Sequence, residues 1–224
     1  MRISLAQPNI SIARLYLIIL LLLFTSAILI DKGDDVLWIN GHHSPWLDLF
    51  FRTITNLGDG AIFVPIIILA LFIRFRYAII GLIASIAHGL IVSLFKHVFF
   101  PGMERPKNFL HNDLLYFVPG VEVHGTNSFP SGHTATAFCA ALFLAFITRN
   151  KVIGTFTLLL AFLVGYSRIY LAQHFLVDVA AGAIIGCFTT YIVWQIMELS
   201  NTPTWMNRRL TISRLKVQRV RFKV

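Results

Sequence analysis

Long stretches without a single charge constrain this chain more than any other feature. Residues 77–95 and 179–197 are each charge-free runs of 19. An α-helix rises about 1.5 Å per residue and a bilayer's hydrocarbon core is about 30 Å thick, so about 20 mainly apolar residues cross it. Residues 15–30 are also uncharged, between Arg14 and Asp31, while 134–148 and 152–167 are shorter and borrow a turn from their polar flanks. Residues 61–73 make a further candidate, with Pro65 inside and Asp59 just before. The expectation is an all-α, polytopic membrane protein: six transmembrane helices within residues 1–200 and a basic tail at 201–224. Composition agrees, at 57% apolar and 13% charged, against about 45–50% and about 25% in soluble domains. That balance excludes disorder, collagen, coiled coil and a disulfide scaffold. Cys139 and Cys187 both fall in apolar runs, which suits inert packing. No A-x-A-like cleavage site follows the first run, so it reads as a span and not as a signal peptide.

The net charge of +9 is sorted by side. With the N-terminus inside, one face collects Arg2, Arg14, Arg74, Arg76, Arg149, Lys151 and the basic residues from Arg208 to Lys223, with Glu198 its one acid. Lys and Arg near span ends favour the cytoplasmic face, so both termini are expected there. Such a distribution points to a membrane and away from nucleic acid. The tail from Arg208 onward serves as a topology determinant and suits anionic lipid headgroups. Two outward segments, 31–60 and 97–130, are long enough to be functional. In the first, Trp46, Leu49 and Phe50 share one helical face suited to the membrane interface.

Ionisable residues gather at the outer ends of the third to sixth spans. Lys96 closes the third, followed by Arg105-Pro106; Ser131-Gly132-His133 opens the fourth; Arg168 ends the fifth; His174 and Asp178 lead into the sixth. Embedded ionisable residues are costly and functional by default. Lys96, Arg105 and Arg168 supply three fixed positive charges, which suit a phosphate. Ser131 and Gly132 at a helix start present backbone N–H groups to an anion. His133 and His174 offer nucleophilic and acid–base chemistry near neutral pH. Asp178 follows His174 by four residues, on the same helical face, where a carboxylate orients the imidazole. No H-x-x-x-H or C-x-x-C metal signature occurs.

The strings P-S-G-H at 130–133 and S-R-I-Y-L-A-Q-H-F-L-V-D at 167–178 resemble two signatures of the type-2 phosphatidate phosphatase superfamily, which also includes vanadium haloperoxidases. In the family's first signature six residues separate a Lys from Arg-Pro. Here eight lie between Lys96 and Arg105, and a longer turn through Pro101-Gly102 absorbs the extra two. The resemblance implies hydrolysis of a phosphate ester or anhydride without metal or cofactor. It implies His174 as nucleophile forming a phosphohistidine, Asp178 polarising it, and His133 protonating the leaving group and later activating water. Lys96, Arg105, Arg168, Ser131 and Gly132 would hold the phosphoryl oxygens. Similar proteins act on undecaprenyl diphosphate, phosphatidylglycerol phosphate, phosphatidate or lipid A phosphates. The partners expected are therefore a lipid phosphate and membrane lipids, in a bacterial cytoplasmic membrane.

A phosphotransferase passing phosphate to another lipid would use the same site. A transporter should carry polar or broken-helix features near the bilayer midplane, whereas here the charges gather at one end. His88, in mid-span, is expected to be a core histidine bonded to a neighbouring helix. His42, His43, His97 and His111 fit solvated positions, and His124 is a candidate for the pocket lining. Gly165, Gly182 and Gly186 fit close helix packing, the last two as a G-x-x-x-G.

Overall fold

The computed structural model describes residues 10–211, so Arg2 and the tail beyond residue 211 lie outside the described residues. Every regular element among the described residues is a helix. In chain order the helices are α1 (Ile10–Leu29), α2 (Asp34–Gly41), α3 (Pro45–Ile54), α4 (Phe63–Ile73), α5 (Phe75–Leu94), α6 (Pro106–Phe109), α7 (Gly132–Thr148), α8 (Lys151–Tyr170) and α9 (Leu176–Leu199). Local chemistry sets several of the boundaries. The Ser44 hydroxyl accepts from the Leu47 N–H with Pro45 at the first helical position. The Asn150 side chain accepts from the N–H groups of Val152 and Ile153 to start α8. Arg149, at φ 54, ends α7 in the left-handed region.

Four helices are long and apolar enough to cross a membrane: Ser11–Leu29, Phe75–Phe99, Lys151–Tyr170 and Leu176–Leu199. Pro45–Gly58 and Gly60–Ile73 pass the same test only together, and they meet at 62°. The sequence expectation of a separate span at 61–73 therefore becomes the lower arm of a bent pair. Residues 31–60, expected from the sequence to be an outward segment, carry α2 and α3, with Trp46 73% exposed and Leu49 half exposed on α3. α7 is an apolar helix of 17 residues, about 25 Å long, and twelve of them are buried. The lipid-facing contrast is α1, whose Leu17, Leu21, Leu22 and Ile28 are all more than half exposed. These features make the chain an integral membrane protein.

α7 is the axis of the bundle, flanked by α5, α8 and α9. Small side chains explain its central place. A Cβ on Gly182 would come within 2.5 Å of the Ser131 carbonyl oxygen, and one on Gly186 would run into that of Ala135. The α7–α9 backbones thus lie closer than any larger residue allows, as the G-x-x-x-G spacing implies. Phe138, Phe143, Tyr77 and Trp194 fill the core around this seam. His88 sits there too, with its Nε2 3.1 Å from the Thr136 hydroxyl on α7 and its Nδ1 2.9 Å from the Ala84 carbonyl. Where α4 turns into α5, the Leu71 carbonyl accepts from the Leu210 N–H and the Phe75 N–H donates to the Arg208 carbonyl, so the start of the basic tail is tied to this turn. The Arg76 guanidinium reaches the Met197 carbonyl at the same end.

Candidate active site

The eight residues singled out from the sequence converge at one end of the bundle. His174 lies in the short connection between α8 and α9, and it is 2% exposed. Ala172, at φ 51, turns the chain through the left-handed region, which is unfavourable for a residue bearing a Cβ. The turn lets the N–H groups of Gln173 and His174 both donate to the Arg168 carbonyl, at 2.9 and 3.1 Å. The helix-ending arginine and the histidine are thereby locked together through backbone.

Asp178 backs this histidine. Its Oδ2 lies 3.3 Å from His174 Nδ1 and accepts from the Ser128 hydroxyl at 2.5 Å and from the Phe175 N–H at 3.0 Å. The bond to Nδ1 leaves Nε2 as the free nitrogen of a neutral imidazole. Burial, then the charges of Arg105, Arg168 and Lys96, pushes His174 well below the ordinary imidazole range. A histidine held neutral at physiological pH keeps its lone pair for attack.

The start of α7 is tied to the same point. The Ser131 N–H, expected from the sequence to face an anion, instead donates to the Asp178 backbone carbonyl at 3.0 Å. Its hydroxyl caps α7, accepting from the Thr134 hydroxyl at 2.9 Å. Gly132 and His133 follow in the first turn. His133 is half-buried and packs under Gly58, where an added Cβ would come 2.8 Å from the His133 Cβ.

The first signature, longer than the family spacing, still delivers both its cations. Residues Phe95–Phe99 form a π-helical turn at the end of α5, and Gly102 turns at φ 75, a conformation glycine adopts without strain. Lys96 Nζ donates to the Asn127 carbonyl at 2.8 Å, and an Arg105 terminal nitrogen lies 3.5 Å from the same oxygen. Arg105 Nε donates to the Thr126 carbonyl at 2.9 Å, and its guanidinium holds the Gln173 side-chain oxygen at 2.9 Å. Arg168 donates to the Thr55 hydroxyl at 2.8 Å, while its Nε is buried without a partner among the described residues. A buried guanidinium N–H left open at such a site is a donor awaiting an oxygen.

Three residues that sequence reasoning passed over complete the arrangement. Ser128 bonds Asp178, Gln173 braces Arg105 while donating to the Glu122 carbonyl at 2.7 Å, and Thr55 receives Arg168 from a turn more than a hundred residues away. Gln173 is the neighbour of His174, the one signal that pointed at it. His124 is largely exposed, with its Nδ1 3.9 Å from the exposed Glu122 carboxylate.

An apolar helical bundle with a neutral, carboxylate-backed histidine facing three fixed cations at one end defines a class, the integral membrane phosphatases. Within that class the chain belongs to the PAP2 superfamily, whose family model matches residues 61–201. It is 33% identical over 173 residues to the lipid A 4'-phosphatase of Bacteroides thetaiotaomicron, covering 72% of this chain and 74% of that one. Among solved structures it resembles Aquifex aeolicus LpxE, with a TM-score of 0.66 and 30% identity over 73% of this chain and 94% of the other. It also resembles a PAP2-type phosphatidylglycerolphosphate phosphatase from Bacillus subtilis, with a TM-score of 0.60 and 26% identity over 87% and 98% of the two chains.

Proposed function

We propose that this chain, an enzyme of the membrane lipid phosphatase class, hydrolyses a lipid phosphate or diphosphate through a phosphohistidine on His174. The observation that carries the reading is the buried, neutral His174, braced by Asp178 and set among Lys96, Arg105 and Arg168. In the first step His174 Nε2 attacks phosphorus and the bond to the leaving lipid oxygen breaks. His133 gives that oxygen a proton, and Asp178 stabilises the imidazolium formed. In the second step His133 takes a proton from water, whose oxygen attacks phosphorus; the P–Nε2 bond breaks, phosphate is released and His174 is freed. The cations and the Gly132 N–H stabilise charge on the equatorial oxygens throughout, the Ser131 N–H being given to the Asp178 carbonyl. The substrate is one of undecaprenyl diphosphate, phosphatidylglycerol phosphate, phosphatidate or a lipid A phosphate, and relatives named for the first, second and fourth support those three.

The reading extends to topology. Counting α7 and the bent pair as spans gives six crossings, with both termini cytoplasmic and the site at the outer face of a bacterial inner membrane. The asymmetry of Lys and Arg supports this orientation.

The purified protein, presented with the four lipids in turn, is expected to release phosphate from at least one. Release should persist in excess chelator, because side chains carry the stabilising charge, and vanadate should inhibit. Activity lost in chelator and restored by Mg²⁺ or Zn²⁺ would overturn the mechanism. Phosphate appearing on an added lipid acceptor, with none free, would make the enzyme a transferase.

A further inference from the structure

His174 belongs to no helix. It sits in the connection from Leu171 to Phe175, where the N–H groups of Gln173 and His174 close back on the Arg168 carbonyl. The same connection holds Ala172 at φ 51. A residue bearing a Cβ keeps such a conformation only where its surroundings over-determine it. Much of that constraint comes from α2, more than a hundred residues earlier in the chain.

α2 is eight residues long and buries three that engage this connection or its two ends: Asp35, Val36 and Asn40. Asn40, 1% exposed, donates from Nδ2 to the Tyr170 carbonyl at 2.8 Å, just ahead of the connection. The same nitrogen donates to the Tyr116 carbonyl, and the Asn40 side-chain oxygen accepts from the Tyr116 N–H, at 2.8 Å each. Asp35 works at the far end. Its Oδ2 accepts from the Leu176 N–H at 2.5 Å and its Oδ1 from the Gly33 N–H at 3.1 Å. Leu176 opens α9, and the first N–H groups of a helix have no partner within it. Between these two grips, Val36 is fully buried in one apolar cluster with Ile169, Ala172 and Phe175. Every polar side-chain atom of Asp35 and Asn40 is thus committed to backbone, which suits holding the chain.

We infer that Asp35 and Asn40 are positioning residues for His174, gripping the chain on either side of it so that Nε2 meets phosphorus in a fixed geometry. The inference rests on the proposed function, in which that nitrogen attacks. Asn40 holds the chain two residues before Ala172, and Asp35 holds it two residues after His174. Release of either end lets the left-handed turn relax and carries the imidazole with it. A misplacement of about 1 Å at a reacting group costs about 10²-fold in rate. The bonds of Asp35 and Asn40 go to Gly33, Tyr116, Tyr170 and Leu176 and not to Lys96, Arg105 or Arg168. Loss of the grip therefore slows attack and leaves the cations in place.

The test separates attack from binding. Asp35→Asn and Asn40→Leu keep side-chain size at the two ends of the grip. The first turns an NH₂ toward one of the two N–H groups that Asp35 accepts, because an amide accepts through one oxygen only. The second leaves the Tyr170 carbonyl without its donor. Asp34→Asn, at an exposed position of the same helix, is the control. In single-turnover measurements with p-nitrophenyl phosphate, both variants are expected to form the phosphoenzyme at least tenfold more slowly. Competitive inhibition by inorganic phosphate, which reads the cations, should stay within twofold. Hydrogen–deuterium exchange in detergent should rise across residues 170–176 and not across α7, and the control should match wild type throughout. Should one variant fail to fold, the other is judged by the same criteria. Phosphoenzyme formation at the wild-type rate in a folded variant would overturn the inference. So would a loss matched by weaker phosphate inhibition, or exchange that rises through the whole bundle, since either makes α2 general scaffold. A wild-type protein that forms no phosphoenzyme would strike the proposed function, and the exchange comparison, which needs no turnover, would still judge the grip.

Discussion

In the proposed mechanism His174 and His133 carry the same imidazole into opposite tasks, and their surroundings tell them apart. Nδ1 of His174 is committed to Asp178 and Ser128, so only its far nitrogen is open, whereas His133 sits at a helix start beneath Gly58. His174→Ala should therefore abolish turnover and every covalent phosphoenzyme. His133→Ala should still be phosphorylated by p-nitrophenyl phosphate, whose leaving group needs no proton, and should accumulate acid-labile, base-stable phosphate. Label found on His133, or surviving in His174→Ala, would reverse the roles. Asp178→Asn should bind substrate yet lose about 10²–10⁴-fold in rate, as when the group orienting a base is removed. The same burial has a signature in stability. The folded protein keeps His174 neutral, whereas the unfolded chain protonates it below about pH 6.5. The unfolded state then binds the extra proton, so stability is unaffected above that pH and is lost as pH falls toward the depressed native value. Melting temperature in detergent should decline over this acid window, and His174→Gln should flatten the decline.

The packing of α7 on α9 depends on the absence of two side chains. Gly186→Ala places a methyl group against the Ala135 carbonyl and within 2.9 Å of the Cys139 nitrogen, forcing the helices apart. Overpacking of this kind costs about 1–3 kcal/mol, so the variant should melt at lower temperature and lose activity, because α9 carries Asp178. An unshifted melt would mean that the seam yields easily. At this scale the sequence was informative where a signal is periodic or local. Charge-free runs located α1, α5, α8 and α9, and the strings around His133 and His174 held their register because each lies within one turn of its partner. It was silent where a contact spans the chain. Nothing in the sequence places Thr55 beside Arg168, or Ser128 beside Asp178, since both pairs form only after distant helices pack. The bend between Pro45–Gly58 and Gly60–Ile73 was likewise hidden, because apolar content alone does not say whether 61–73 stands by itself or continues α3. The insertion before Arg105 was legible as a departure in length, but its solution, a π-turn at 95–99, was not.

For the whole molecule, the segregation of positive charge makes orientation the question to settle. Cysteines introduced singly as Asn112→Cys and Ser213→Cys, with Cys139 and Cys187 replaced by alanine, should respond oppositely to an impermeant thiol reagent added outside intact cells. Asn112→Cys, in the loop over the site, should label, and Ser213→Cys should be protected until the membrane is breached. Labelling of the tail alone would put the site at the cytoplasmic face and invert the orientation. The background is mild, because both native cysteines are buried packing residues, although Thr190 donates its hydroxyl to Cys139.

The backbone bond from Ser131 to Asp178 joins the first turn of α7 to the first turn of α9, and through Asp178 it reaches His174. The start of α7 and the imidazole proposed to attack are therefore tied together at one end of the bundle. A bilayer that thins or thickens is met by helix tilt, and a tilt of α7 carries the start of α9 with it through this bond.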